Sequence, residues 1–578
     1  MSKLLNMTRW AGVLGLVASL GCKSLDVENP NNPDAARAFS DPGAVAGLIT
    51  GGFKSWFNAR SDYNSGLVLS AMADGHTGSW NNWNMRYYTS EGNECPVRCG
   101  WDNRPSSAFR FQIETLWYGY YGALSSANDV LTAIRKNDVI ITSDAVTKRA
   151  EAAAVTLQAM VFAQIALNYD QGFIVTEDTD LSTPEAVSAL QFSTRSAMRD
   201  AAIAKFNEAA TLWQATTIAP LKEWFGAVNG PQYTQAQMIQ AIRTMQAELL
   251  AFYPRTSAEN AQVNWGQVAT FASQGVSSGS AFDFGFFVDA NSVFYDGVKN
   301  WGNDITTVRV DTRVARAASG QCADVAGTNC PPANKVHLDP WPSPGGNPQP
   351  AAIDQRMGNG TWGADDDFLG VGTIAWDGGE GSDYAYAALA VFPPARGSYH
   401  QSNIGHTRYS FLAYPGYGLP TEDGTGFAPQ YPKALNDLLW AEGLIRSGGN
   451  ASQAATLINK TRVSRGGLNA LTGGEGQAAL LAALQYEQDV ELLGIGSANF
   501  YNRRRIDGLK SMTPRHMPVP AKELQVLQRE LYSFGGPANP GGLAPGVDGA
   551  GNKVRGVREI WDEISTASKL QAKRRNRN

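Results

Sequence analysis

The chain has 578 residues, a net charge of −5 at pH 7 and only 17% charged residues. Such a sparsely charged, mildly acidic chain lacks the basic surface that nucleic-acid binding requires, and the basic run Lys573-Arg574-Arg575-Asn576-Arg577 reads as a solvated end. Its length permits a large buried core, and its 60 glycines, 15 tryptophans and 20 tyrosines point to long ordered loops that display aromatic side chains.

At the N-terminus, Lys3 and Arg9 precede an apolar run from Trp10 to Leu20. That run is about 11 residues, too short for a bilayer span of about 20, and residues 1–21 read as a secretory signal. It ends in Ser19-Leu20-Gly21-Cys22, which is similar to the lipobox of bacterial lipoproteins. Cys22 is therefore the expected lipid attachment site, and several acyl chains on it would anchor the chain lastingly to a membrane. No later segment is expected to span a bilayer. Residues 22–38, rich in Asn and Pro, read as a lipidated tether, which leaves 39–578 as a single domain.

From Asp41 to Phe57, Val45, Leu48, Ile49, Gly52, Phe53 and Trp56 recur at helical spacing, with Asp41 as the cap and Pro42 in the first turn. Residues 73–104 have no period and are dominated by Asp, Gly, Asn, Trp and Tyr; they read as a long functional loop. Helical patterning returns at 106–136, where Leu116, Trp117, Tyr120, Leu124, Val130 and Leu131 lie on one stripe. Further helices are expected at 144–168, 193–214, 234–253 and 260–275, paired like tetratricopeptide hairpins. Residues 280–430 lose the helical period and read as an irregular region with a few short strands. Helices resume at 431–448, 451–465, 475–494 and 520–530. The expected fold is mainly α: a hairpin scaffold at about 39–275 and 431–530, carrying a loop-rich ligand-binding insertion at about 280–430.

Apart from Cys22, the cysteines are Cys95, Cys99, Cys322 and Cys330. In an exported chain the two close spacings suggest two local disulfides, each pinning a loop. A zinc site is the weaker reading, because no histidine pair lies beside them in the sequence.

The segment from Gly75 to Tyr88 places Trp80, Trp83, Tyr87 and Tyr88 among Asn81, Asn84 and Arg86. Flat aromatic rings suit the C–H faces of sugars, and amides and guanidinium suit the hydroxyl rims. The bland alternative is that these rings pack the loop onto the scaffold. Tyr295, Trp301, Trp341, Trp362 and Trp376 form a second set in the irregular region, of which one or two are expected to face a ligand. Asp365-Asp366-Asp367, Asp377, Glu380 and Asp383 stand in glycine-rich surroundings that would suit turns or calcium better than glycoside hydrolysis. His76, His337, His400, His406 and His516 make no metalloprotease motif, and no nucleophile elbow or phosphate-cradling loop is present. No catalytic residue and no obligatory cofactor is expected.

The segment Leu435 to Leu468 contains Ala441, Glu442, Gly448, Ala454, Ile458, Asn459, Arg462, Gly467 and Leu468 in an order that resembles the SusD/RagB family. Glu487 and Glu491-Leu492, then Arg503-Arg504, then Pro518-Val519-Pro520 with Glu523-Leu524 extend the resemblance, as do Trp117, Tyr121, Ala127 and Asn128. Gln488, Ile495-Gly496-Ser497-Ala498 and Tyr501-Asn502 depart from the family pattern and imply an altered internal charge network. Glu442, Asn459, Arg462 and Glu491 are expected to cap and pair helices rather than bind ligand. The resemblance implies a cell-surface lipoprotein of the outer membrane that binds an oligosaccharide, or a peptide, and delivers it to a TonB-dependent transporter. A lipid-anchored scaffold for protein assembly and a secreted hydrolase are the alternatives.

Overall fold

The computed structural model describes residues 42–78, 84–89, 95, 98–288, 294–303, 308–319, 354–361, 383–386, 402, 404–406, 408–409 and 425–544. The signal, Cys22 and the tether, together with Trp80, Asn81, Trp83, Trp341, Cys322 and Cys330, lie outside the described residues.

The first half is a stack of helices: α1 (Pro42–Arg60), α2 (Tyr63–Met72), α3 (Met85–Thr89), α4 (Phe111–Lys136), α5 (Asp144–Asn168), α6 (Pro184–Ser188), α7 (Arg195–Ala215), α8 (Gln235–Phe252), α9 (Ser257–Ala261) and α10 (Trp265–Ser273). The main stack runs α1–α4–α5–α7–α8–α10, each helix packed on the next. Polar caps mark the starts. Ser143 accepts from the Val146 amide ahead of α5, Thr194 caps α7, and Thr234 with Gln237 forms a capping box on α8. The helix expected at 260–275 is broken because Asn264 caps a fresh start by accepting from the Gln267 amide at 3.0 Å.

Alanines at 152, 153, 154, 159, 163 and 166 make α5 thin on every side, so its neighbours approach closely. α5 is long and apolar enough to cross a membrane, which corrects the sequence reading that no later segment would be; it is almost wholly buried within the fold and is the core helix. α1 meets α4 where Gly119 faces Ala59, with no room for a side chain: a Cβ there would stand 2.6 Å from the Ala59 Cβ.

The second half contributes α13 (Lys433–Ser447), α14 (Ala451–Arg462), α15 (Gln477–Val490), α16 (Ala498–Arg504) and α17 (Ala521–Val526). α13 packs on α10 and carries α14 and α15, so the chain returns to complete the scaffold. Gly448 ends α13 in the left-handed region at φ 72°, as glycine readily does.

Between the halves, β4 (Phe284–Val288) pairs antiparallel with β9 (Gly426–Tyr431), so the two ends of the irregular region close on each other. Phe286 of β4 stacks on Phe57 of α1 at 4.4 Å, which seats this ribbon on the main core. The region also holds α11 (Gly297–Gly302) and α12 (Thr312–Ser319), which no period announced. β6 (Met357–Thr361), β7 (Tyr384–Tyr386) and β8 (Ile404–His406) form a sheet in that order. The 73–104 stretch is more structured than a plain loop: besides α3 it holds β1 (His76–Gly78), paired antiparallel with β5 (Val308–Val310). A small β2–β3 hairpin (Gln171–Gly172 and Ser193–Thr194) leads into α7. A second, smaller apolar cluster joins Val310, Val314, Tyr384 and Ile404 of the insertion to Tyr486, Val490 and Leu493 of the scaffold.

Candidate functional site

The aromatic loop leaves the scaffold at the end of α2. Asp74, left-handed at φ 54° and buried, forms an ion pair with buried Arg98, and this pair closes the loop at its base. The Cys95–Cys99 disulfide follows, with its Cα atoms 5.3 Å apart. The returning arm is stitched to the C-terminal segment. The Trp101 indole donates to the His516 carbonyl at 2.6 Å, and Asn103 donates to the carbonyls of Val519 at 3.0 Å and Tyr532 at 2.9 Å. Gly100 lies against Gly535, where a Cβ would come within 2.5 Å of the Gly535 oxygen, so only glycine fits.

Inside the loop, Asn84 is buried at the head of α3 in the left-handed region, φ 60°, which asparagine tolerates. Tyr88 is buried against Trp101 with ring centroids 5.3 Å apart, and half-buried Tyr87 meets Tyr88 edge-on at 5.0 Å. Of the residues expected to bind, Tyr87 thus reaches the surface in part and Asn84 does not. Arg86 lies in α3, but its side chain is outside the described set.

A second aromatic group assembles where α11 lies along α2. The Val298 amide donates to the Ser61 carbonyl at 3.0 Å, and Gly297 sits so close to Tyr63 that a Cβ would be 2.7 Å from its ring. This brings Trp301 edge-on to Tyr63, centroids 6.5 Å apart. The Tyr295 amide donates to Asn58 Oδ1 at 3.1 Å, and its hydroxyl accepts from Asn300 Nδ2 at 3.1 Å. Asn58, Tyr63, Tyr295, Asn300 and Trp301 are all half-buried, so each presents part of its surface to solvent. Asp62 caps α2, and burial pushes its carboxyl up to about 6 against the hydrogen bonds from Ser65 and Asn64. Arg60 and Lys299 turn inward to Glu248 at 2.8 Å and Asp296 at 2.9 Å. Lys54, one turn before Asn58, is a half-exposed cation on the same helix. Among the described residues the surface is therefore aromatic and amide in character, with the Asp62 carboxyl and the Lys54 ammonium at its edge. Trp301 and Tyr295 were legible in the sequence. Asn58 and Tyr63 were not, because they belong to helices more than 230 residues earlier.

The serine and histidine closest to a hydrolytic arrangement among the described residues are buried. Ser70 Oγ meets His76 Nδ1 at 2.8 Å, but it also accepts from Asn499 at 2.7 Å, and both Ser70 and His76 are buried, out of reach of a substrate. Asp383 is engaged in buried ion pairs. Among the described residues no group of three or more His, Cys, Asp or Glu is placed to hold a metal ion, and Asp365-Asp366-Asp367 lie outside them.

No family model and no curated sequence matches the chain. Solved structures do. A SusD superfamily protein from Parabacteroides distasonis superposes with a TM-score of 0.54 over 84% of this chain and 97% of its own, at 11% identity. The chain has the SusD fold. A SusD superfamily protein from Bacteroides vulgatus matches with a TM-score of 0.52 over the same shares, at 13% identity. Surface glycan-binding protein A from Bacteroides thetaiotaomicron matches with a TM-score of 0.50 over 86% of this chain and 99% of its own, at 14% identity.

In this version of the SusD fold, the residues that carried the sequence resemblance hold the frame. Glu442 accepts from Arg446, Arg505 and Gln488; Asn459 accepts from the Leu471 amide and donates to its carbonyl; Arg462 donates to the Asn469 carbonyl. Glu491 gathers Arg356, Arg408 and Arg465. Arg356 also donates to Asp354 and Glu487, and Arg465 also meets Asp383. These groups clamp the β6–β7–β8 sheet to α15, and so fix the insertion on the scaffold.

Proposed function

We propose that this SusD-fold protein is a non-catalytic cell-surface lipoprotein that captures a neutral oligosaccharide and passes it to a TonB-dependent outer-membrane transporter. The observation that carries the reading is the half-exposed group of Tyr63, Tyr295 and Trp301, rimmed by Asn58 and Asn300. The rings offer faces for sugar C–H groups and the carboxamides offer both donors and acceptors. Each ring contact is worth about 0.5–1.5 kcal/mol, so a few of them give roughly micromolar-to-millimolar affinity. That range suits capture followed by release. Several structural relatives are described as carbohydrate- or glycan-binding proteins, which supports the ligand class. Cys22 supplies the lipid anchor, and Trp80, Asn81 and Trp83, which lie outside the described residues, are further candidate ligand contacts.

The test is electrophoresis of the protein through gels that contain neutral polysaccharides, in parallel with recovery of membrane partners by affinity purification. Retardation by at least one polysaccharide, together with a co-purifying β-barrel transporter, is the expected result. Retardation by none, with retention on immobilised peptides, would assign the site to peptide. A stable partner without any ligand would return the protein to the assembly-scaffold reading.

A further inference from the structure

His76 and His406 are 330 residues apart in the sequence and meet in the interior, with ring centroids 6.1 Å apart. His76 opens β1, the first strand of the aromatic loop, and His406 ends β8, the edge strand of the insertion sheet. The pair therefore lies at the joint between the loop and the insertion, beside the β1–β5 strand pairing. Both rings are buried, and among the described residues His76 Nε2 and both nitrogens of His406 have no hydrogen-bond partner.

We propose that this histidine pair is an acid-sensitive joint, whose protonation loosens the aromatic loop from the insertion. Two buried imidazolium ions side by side would repel each other and lack solvation. The groups around them supply only part of the missing counter-charge, one carboxylate beside His76 and a shared one near His406. His76 faces Ser70 of α2 and, from beyond β5, the Asp311 carboxylate. His406 faces the rings of Tyr384 and Tyr409, the cations Arg408 and Lys299, and Glu491. Glu491 is already shared among three guanidiniums. Burial holds the His76 imidazole down at about 4 against the pull of Asp311, and burial and then His76 itself hold His406 far below its ordinary value.

Imidazoles that stay neutral in the closed joint and take up protons in the open one favour opening as pH falls below about 6.5. Between pH 7 and pH 5, His76 alone would raise the opening equilibrium on the order of twentyfold. Asp383 and Glu487, whose carboxyls burial pushes up against their arginine partners, work in the opposite direction. Their contribution is common to the wild type and to histidine variants.

Amide hydrogen exchange of the purified full-length protein at pH 7 and pH 5, corrected for intrinsic rates, tests the proposal. Peptides covering β1 and β8 should lose about twentyfold or more of their protection at pH 5, and the His76→Leu/His406→Leu variant should show less than about threefold change. Protection that does not depend on pH in the wild type, or an undiminished change in the variant, would overturn it. Should the variant fail to fold, imidazole titration of the wild type by NMR decides: neither ring should titrate above pH 5, and a midpoint near 6.5 for either would refute the joint. The readout is exchange and protonation, so it stands apart from the glycan reading.

Discussion

Glu491 accepts a hydrogen bond from Arg408 at 2.6 Å, with both side chains shielded from water. Glu491 follows the last residue of α15, and Arg408 lies two residues past the end of β8. Burial pushes the Glu491 carboxyl up, but Arg408, Arg465 and Arg356 outweigh it and hold the group at about 2. Taking these charges out of water is costly, and only full mutual pairing offsets that cost. The clamp is therefore sensitive to the loss of any one member.

Glu491→Gln keeps the shape and removes the charge. It leaves three guanidiniums short of a partner and should destabilise the protein by about 3–5 kcal/mol. Chemical denaturation should show a lower midpoint, and amide exchange should speed up first in β6, β7 and β8. An unchanged midpoint would mean that the insertion is held by its apolar contacts alone.

Glu442 gives a pH dependence of defined sign. Burial pushes its carboxyl up, yet Arg505 and then Arg446 bring it down to about 2 from the ordinary 4.5. Its folded-state value is depressed, so its contribution of about 3 kcal/mol is present above pH 4.5 and is lost as pH falls toward 2. Wild type should therefore be markedly more stable than Glu442→Gln at pH 7, and the gap should narrow by about half or more at pH 3. Thermal unfolding of the two proteins at both pH values checks this, and a gap that does not change with pH would contradict it.

The Cys95–Cys99 bridge closes a short loop. Such a small ring contributes at most about 2 kcal/mol through chain entropy. The Asp74–Arg98 pair and the Trp101 and Asn103 hydrogen bonds hold the same arm independently. Cys95→Ser/Cys99→Ser should accordingly shift global stability little, while amide exchange speeds up near residues 95–100. A large global loss would show that the disulfide, rather than the polar stitching, holds the arm.

Trp301 is half-buried, so Trp301→Ala should leave the fold intact and weaken ligand binding roughly threefold to tenfold. Asn300→Ala, which removes the donor to the Tyr295 hydroxyl, should have a smaller effect of the same sign. Titration of a retarding oligosaccharide against each variant measures both.

The scaffold was legible wherever a helical face was apolar or an apolar run was long. α5 was read at 144–168, the range at which it occurs, because its mostly apolar run from Ala152 to Leu167 is too long for a strand. α2 was missed because Tyr63–Met72 is both short, at 10 residues, and buried on nearly every side, so it offers neither the length nor the polar face that marks a helix. α16 is hidden for the same reason, since Ala498 to Arg504 are all buried and its arginines point into the core. At the site, spacing alone pointed to Cys95 with Cys99, and composition pointed to Trp301 and Tyr295. The pairing of Trp301 with Tyr63, and of His76 with His406, depends on how β5, β8 and α11 are laid against α2. No local pattern encodes contacts across more than 230 residues.

Isothermal titration of neutral oligosaccharides into wild type and into Tyr295→Ala/Trp301→Ala is the most direct test of the account. The wild type should bind at least one of them with roughly micromolar-to-millimolar affinity, and the double variant should fold normally and give no measurable heat. Equal affinity in the two proteins would place the ligand elsewhere and contradict the assignment of this aromatic group as the capture surface.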